Sequence, residues 1–308
     1  MTQRKNDSKS ERKLRFANHP WISLFVFAVL LILSAGIAAN ITINLFKLPS
    51  GSLMRQLIQP LLGHFLLLFI LVPFVMRLPE GNRSFREYLD DIRLTNVKPL
   101  FRLIILAFSC YLILALCQVL GTVIFRFFEG LKISGEFVLS VIDISHDLPP
   151  QSWSLLVSFP SVFEEVAFRG IILTMFLRKY SERKSIIISA AAFGLIHLLN
   201  LTGGRDIVWV GGQVVWSFIL GLFYGYLFVK SKSLIPNMIF HYLANVFVGS
   251  FTAYVQTAAS TGIEVVYGIL FTFGIVPTTF MILWVRFFVS KLPLSPDAAI
   301  ARPAQPSQ

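Results

Sequence analysis

Eight apolar runs divide the chain. They cover residues 21–46, 56–76, 99–125, 152–177, 185–201, 207–229, 233–256 and 263–289. A helix that crosses a bilayer needs roughly 20 mostly apolar residues. The pattern therefore predicts an all-α, polytopic membrane protein with about eight transmembrane helices. The stretch "ISGEFVLSVIDISHDLPP" (133–150) is too polar to span. It reads as a surface helix or an extracytoplasmic loop, and by position the loop at 129–149 could gate access from outside. No internal repeat is visible.

Composition agrees with this class. Of 308 residues, 55% are hydrophobic and 14% charged, with a mean hydropathy of +0.71; soluble domains carry about 25% charged residues. The net charge of +11 falls between apolar spans, not on a basic stripe with exposed aromatics. It is therefore read as membrane topology and not as nucleic-acid binding. The opening "MTQRKNDSKSERKLRFANHP" is polar and basic, and no A-x-A site follows the first apolar run, so a cytosolic tail is expected and not a signal peptide. The Pro-, Ala- and Ser-rich end, "PLSPDAAIARPAQPSQ", is expected to be a disordered tail. Cys110 and Cys117 lie in one span, about 10 Å apart along a helix and beyond disulfide reach. They read as buried thiols on one face.

Basic residues fix the orientation. With the adjoining turns included, alternate flanking segments carry 6, 6, 4, 2 and 3 Lys or Arg, against 2, 2, 1 and 0 in the segments between them. Positive charge stays on the cytoplasmic side. Both termini and the loops at 77–98, 178–184 and 230–232 are therefore expected in the cytosol. Adding or dropping one span would break the alternation.

Arg169 alone among the basic residues lies deep inside a span. It belongs to "SVFEEVAFRGIIL" (161–173) with Glu164 and Glu165. Each ionised side chain at a helix centre costs about 2.5–3.5 kcal/mol on insertion scales. Glu165 and Arg169 are four residues apart and suit an ion pair on one helix face. Glu164 is rotated by about 100° from Glu165, which leaves it free for chemistry. The plainer alternative is a purely structural ion-pair network. Intramembrane ionisable residues, however, point to function first.

Two later spans offer partners: "FGLIHLLN" carries His197, and "PNMIFHYLANVF" carries His241 and Asn245 one turn apart. His64 has no polar companion at helical spacing and reads as structural. Glu164, His197 and Asn245 stand 14, 13 and 13 residues from the nearest cytosolic basic residue, or about 20 Å, with His241 nearer 14 Å. Three helices thus bring polar residues to a similar depth. A carboxylate, two imidazoles and an amide in an apolar cavity suit activation of a water and hydrolysis of an amide.

These residues resemble a known family. "EEVAFR" fits E-E-x-x-x-R, Phe193 to His197 fits F-x-x-x-H, and His241 to Asn245 fits H-x-x-x-N. In that order on successive spans they are similar to the CPBP family, which includes the CAAX proteases, the bacteriocin-processing (Abi) proteins and the type II CAAX prenyl endopeptidase. The resemblance covers about residues 150–250. It implies an intramembrane endopeptidase with its active site within the helix bundle. Glu164 and His197 would activate water, and His241 and Asn245 would hold the oxyanion. Glu165 and Arg169 would support the site, together with Phe193 of the second motif. The implied division is a basic tail (1–20), N-terminal helices and loops (21–149), a catalytic core (150–257), a last helix (258–290) and a C-terminal tail (291–308).

Glu164, His197 and His241 could also ligate zinc with a water in the fourth position. A metal-independent mechanism is favoured, because one Glu is spent on Arg169 and no carboxylate is evident behind each His. The basic tail and short loops resemble those of a bacterial inner-membrane protein. The expected substrate is then a membrane-anchored protein or peptide, not a prenylated one. The alternatives are a non-catalytic immunity or scaffold protein and a proton-coupled transporter. The intact polar set argues against the first, and the lack of matched interrupted helices argues against the second.

Overall fold

Helix starts follow local chemistry. The computed structural model describes residues 19–76, 84–128, 158–258, 266–272 and 274–292, with a few single residues beside them. Helix α1 (Pro20–Asn40) opens on a proline in its first turn and closes through the π-helical turn Ile41–Leu45. Helix α2 starts at Leu53–Phe65, where the Ser52 side chain accepts from the Arg55 N–H, and runs on through Leu66–Leu71 and Val72–Met76. Short helix α3 (Phe85–Asp91) has a full capping box between Ser84 and Glu87, which satisfies two otherwise unpaired N–H groups. Helix α4 is Leu100–Phe128.

Helix α5 has three parts, Pro160–Glu165, the π-helical Val166–Leu173 and Thr174–Leu177. Helix α6 (Glu182–Ile196) passes into a 3₁₀ stretch, His197–Gly203, which ends on Gly204 at φ 80°. Helix α7 (Ile207–Ser231) begins where Asp206 accepts from the Val208 and Trp209 N–H groups. Helix α8 is Ile235–Ala258 and helix α9 is Ile275–Lys291, the latter preceded by a π turn, Gly268–Thr272. Every regular element among the described residues is helical.

Six of the described helices are long and apolar enough to cross a membrane: Pro20–Leu45, Leu53–Val75, Leu100–Phe125, Glu182–Thr202, Ile207–Ser231 and Leu270–Lys291. Many of their large side chains face outward, including Phe25, Phe74 and Leu112. The two expected spans outside this set are α5 and α8, the pair that carries the EEVAFR and HYLAN motifs. Helix α5 has three charges within its 18 residues. The expected tails and the 129–149 loop lie almost wholly outside the described residues. Cys110 is buried and Cys117 only half-buried, so the two thiols expected to be buried together are covered unequally.

The loops expected in the cytosol meet at one end of the molecule. Trp21 Nε1 donates to the Tyr180 hydroxyl at 3.0 Å, and Arg178 pairs with Asp91 at 3.2 Å. Asn96 Nδ2 donates to the Lys232 carbonyl, and Lys230 pairs with Glu182 at 3.4 Å. Exposed pairs of this kind contribute little stability. Their value here is positional: the start of α1, the α3 region, the α5–α6 turn and the α7–α8 turn share one end.

Helices α6 and α7 pack through small residues, which let backbones approach closely. A side chain at Gly194 would place its Cβ 2.8 Å from the Val214 carbonyl, and one at Gly221 would lie 3.0 Å from the Ala190 Cα. Neither neighbour is a side chain that can swing away. Gly194→Val should therefore destabilise the protein by about 1–3 kcal/mol through overpacking. Gly211→Ala, at an exposed position of α7 with open space around it, should not lower the thermal midpoint in detergent, because the added methyl meets nothing and Ala is the better helix former. Equal midpoints for the two variants would refute the close-packing account.

Candidate active site

The site is built on α5. Glu164 and Glu165 end its first, α-helical part, and Arg169 sits inside the π stretch. A π turn closes i→i+5 bonds and so frees backbone groups from the α pattern. Those groups need partners in a membrane interior. Ser189 of α6 donates to the Phe168 carbonyl at 2.9 Å, and the Thr174 hydroxyl donates to the Arg169 carbonyl at 3.2 Å. The spacing expected of a plain α-helix is therefore corrected here. Glu165 and Arg169 still meet at 3.0 Å.

Glu165 and Arg169 are fully buried. Glu165 Oε1 accepts from Arg169 Nη1 at 3.0 Å and lies 2.7 Å from His241 Nδ1. Its Oε2 accepts from Asn237 Nδ2 at 3.2 Å. The same Asn237 amide donates to the Tyr224 carbonyl at 2.8 Å. Arg169 Nη2 reaches the Gly221 carbonyl at 3.4 Å. The guanidinium lies between two rings, 4.4 Å from the Phe193 centroid and 4.6 Å from that of Tyr224. Desolvated cation–π contacts contribute about 2 kcal/mol or more. The pair is thus neutral overall; Arg169 is bonded through both terminal nitrogens, while its buried Nε has no partner among the described residues, and mutual neutralisation is what makes the buried charge tolerable.

The two histidines are held alike. His197 Nδ1 lies 2.9 Å from the Phe193 carbonyl. A carbonyl only accepts, so Nδ1 carries the proton and Nε2 offers its lone pair. His241 is buried, stacked on Tyr224 at 4.8 Å and edge-on to Phe193 at 5.7 Å. Its Nδ1–H donates to Glu165, and its Nε2 lies 3.9 Å from Glu164 Oε2. Glu164 is 29% exposed at its side chain, against 0% for Glu165. Phe193 is the shared wall, in ring contact with Phe168, Tyr224, His197 and His241.

Glu164, Glu165, Arg169, Phe193, His197 and His241 therefore gather in one place. Asn245, one turn beyond His241, has an exposed side chain. Two members of the cluster were not foreseen. Asn237 was legible, since Asn237, His241 and Asn245 repeat every four residues on α8. Tyr224 sits among seven apolar or glycine neighbours and gave no signal.

The expectation that no carboxylate stands behind either histidine fails for His241, because Glu165 occupies that place. Among the described residues, no three His, Cys, Asp or Glu side chains converge as a metal site. Glu164, His197 and His241 as arranged do not fit a shared zinc ion. His64, read as structural, bonds the Pro60 carbonyl through Nδ1 at 2.8 Å and stacks on Phe163 at 6.1 Å.

Removing one partner of a buried ion pair costs about 3–5 kcal/mol, whereas an apolar pair can replace both. Arg169→Met should thus lower stability by about that amount, and Glu165→Leu combined with Arg169→Met should regain part of it. Additive losses in a detergent unfolding assay would show that the two side chains are not coupled.

Residues 148–247, a third of the chain, match the family model described as type II CAAX prenyl endopeptidase Rce1-like. The matched stretch contains every residue of the cluster above. No curated protein and no solved structure matches the chain. Over that third of its length the chain is similar to these endopeptidases, and the match supports an intramembrane protease of the CAAX/CPBP kind.

Proposed function

We propose that the protein is an endopeptidase that hydrolyses peptide bonds of membrane-anchored proteins or peptides, using a water activated by Glu164 and His197. The observation that carries this reading is the contrast between two adjacent carboxylates. Glu165 is saturated by Arg169, His241 and Asn237, while Glu164 is part-exposed and faces His241 Nε2. In the proposed reaction Glu164 takes a proton from water as the oxygen attacks the substrate carbonyl, and His197 Nε2 orients that water. His241 and Asn245 donate to the oxyanion. Because His241 Nδ1–H is committed to Glu165, its donation from Nε2 requires the imidazolium. Glu164 then passes its proton to the leaving amine as the C–N bond breaks.

The same reading takes α5 and α8 as spanning helices within an eight-helix bundle. The active site lies inside the bundle and both termini are cytosolic, in the inner membrane of a bacterium. The convergence of Trp21, Asp91, Arg178 and Lys232 at one end supports that orientation.

Two measurements test the chemistry. Cleavage of lipid-tailed quenched peptides should fall by about 10²–10⁴ in Glu164→Gln and in His197→Ala, the range for a lost general base. It should persist in the presence of a zinc chelator. Activity removed by chelator and restored by zinc would replace this mechanism with a metal-dependent one.

A further inference from the structure

Beyond the cluster, a pair of amides stands on the same line as the site. His197 opens the 3₁₀ stretch His197–Gly203. In a 3₁₀ helix, side chains three apart eclipse and rise about 6 Å, so Asn200 stands directly along the axis from His197. Asn200 Nδ2 donates to Gln213 Oε1 at 2.7 Å. Gln213 lies on α7, 11 residues before Tyr224, which is three turns and only about 20° round the helix. Ser217 lies between them on that face and is buried. One face of α7 thus runs from the ring that stacks on His241 to the amide that meets Asn200.

The hydrogen bond leaves the pair half used. Asn200 Oδ1 has acceptor capacity and Gln213 Nε2 has two donors, and neither atom has a partner among the described residues. Both side chains are half-buried. An acceptor and a donor side by side match the N–H and C=O of one residue in an extended chain, which point the same way. We propose that Asn200 and Gln213 form a subsite that binds the substrate backbone, Asn200 Oδ1 accepting from a peptide N–H and Gln213 Nε2 donating to the C=O of the same residue. This rests on the endopeptidase reading and deepens it: the ligand is an extended peptide, gripped by its backbone and not by its side chains. A 6 Å offset from His197 corresponds to about two residues of extended chain at about 3.3 Å each. The gripped residue is therefore about two positions from the scissile bond.

The test uses the full chain in liposomes and a lipid-tailed quenched peptide that it cleaves. Analogues replace one backbone N–H at a time by an ester oxygen on either side of the scissile bond. In the wild type, one analogue about two positions away should show a roughly tenfold higher KM with kcat unchanged, the loss of about one hydrogen bond left unpaired. In Asn200→Ala that penalty should fall below about twofold, since the acceptor it reports on is gone. Leu201→Ala, an exposed neighbour in the same stretch, should keep the penalty. Gln213→Ala gives a second route should Asn200→Ala fail to fold: it should raise KM for the all-amide peptide while leaving kcat unchanged. An ester penalty that survives in Asn200→Ala would overturn the subsite alone and leave a pair that merely braces the α6–α7 turn. A folded wild type that cleaves no peptide in the library would overturn the endopeptidase reading and the subsite with it.

Discussion

A full positive charge and a full negative charge are held where neither water nor an exposed surface can reach them. That constraint organises the middle of the molecule. Each ion would be costly alone, and their mutual attraction offsets the cost only if the remaining donors and acceptors are also met. Arg169 is therefore flanked by two aromatic faces and a backbone carbonyl, and Glu165 by an imidazole and an amide. These partners come from α5, α6, α7 and α8. Satisfying one ion pair thus requires four helices to converge on it. Glu164, the neighbour of that pair, is delivered to the same spot without being consumed by it.

Close helix packing and the polar cluster are linked through Gly221. Its lack of a side chain lets α7 approach Ala190 of α6, and its carbonyl accepts from Arg169. The glycine therefore serves two ends, one steric and one electrostatic. The aromatic residues work similarly. Phe193 and Tyr224 fill space between helices, and their faces also offer electron density to the guanidinium.

Much of the site was legible in the chain because charge in an apolar run is conspicuous. Glu164, Glu165, Arg169, His197 and His241 stand out for that reason, and the structure brings them together. The order of the helices was legible too, because bilayer thickness imposes a length on apolar runs. Other features were not. The π stretch leaves no mark in "VAFRGIIL", which contains no proline and one glycine, since the extra residue per turn depends on side chains of other helices reaching the freed carbonyls. Tyr224 is invisible because a tyrosine in an apolar helix is ordinary. The backing of His241 by Glu165 was misjudged because helix spacing within α5 says nothing of what α8 presents to it.

The π geometry of α5 carries a consequence of its own. A helix that closes i→i+5 holds one residue more than an α-helix of equal turn count. Helix α5 is in effect an α-helix with a surplus residue stored between Glu165 and Thr174. Loss of one residue from Val166–Leu173 would let the segment relax into regular α form while the turns before and after it keep their relative orientation. The glutamates would keep their place beside α8, and Arg178 its place beside Asp91. What would vanish is the widened turn whose Phe168 carbonyl meets Ser189: the surplus residue exchanges a bond within α5 for a tie to α6.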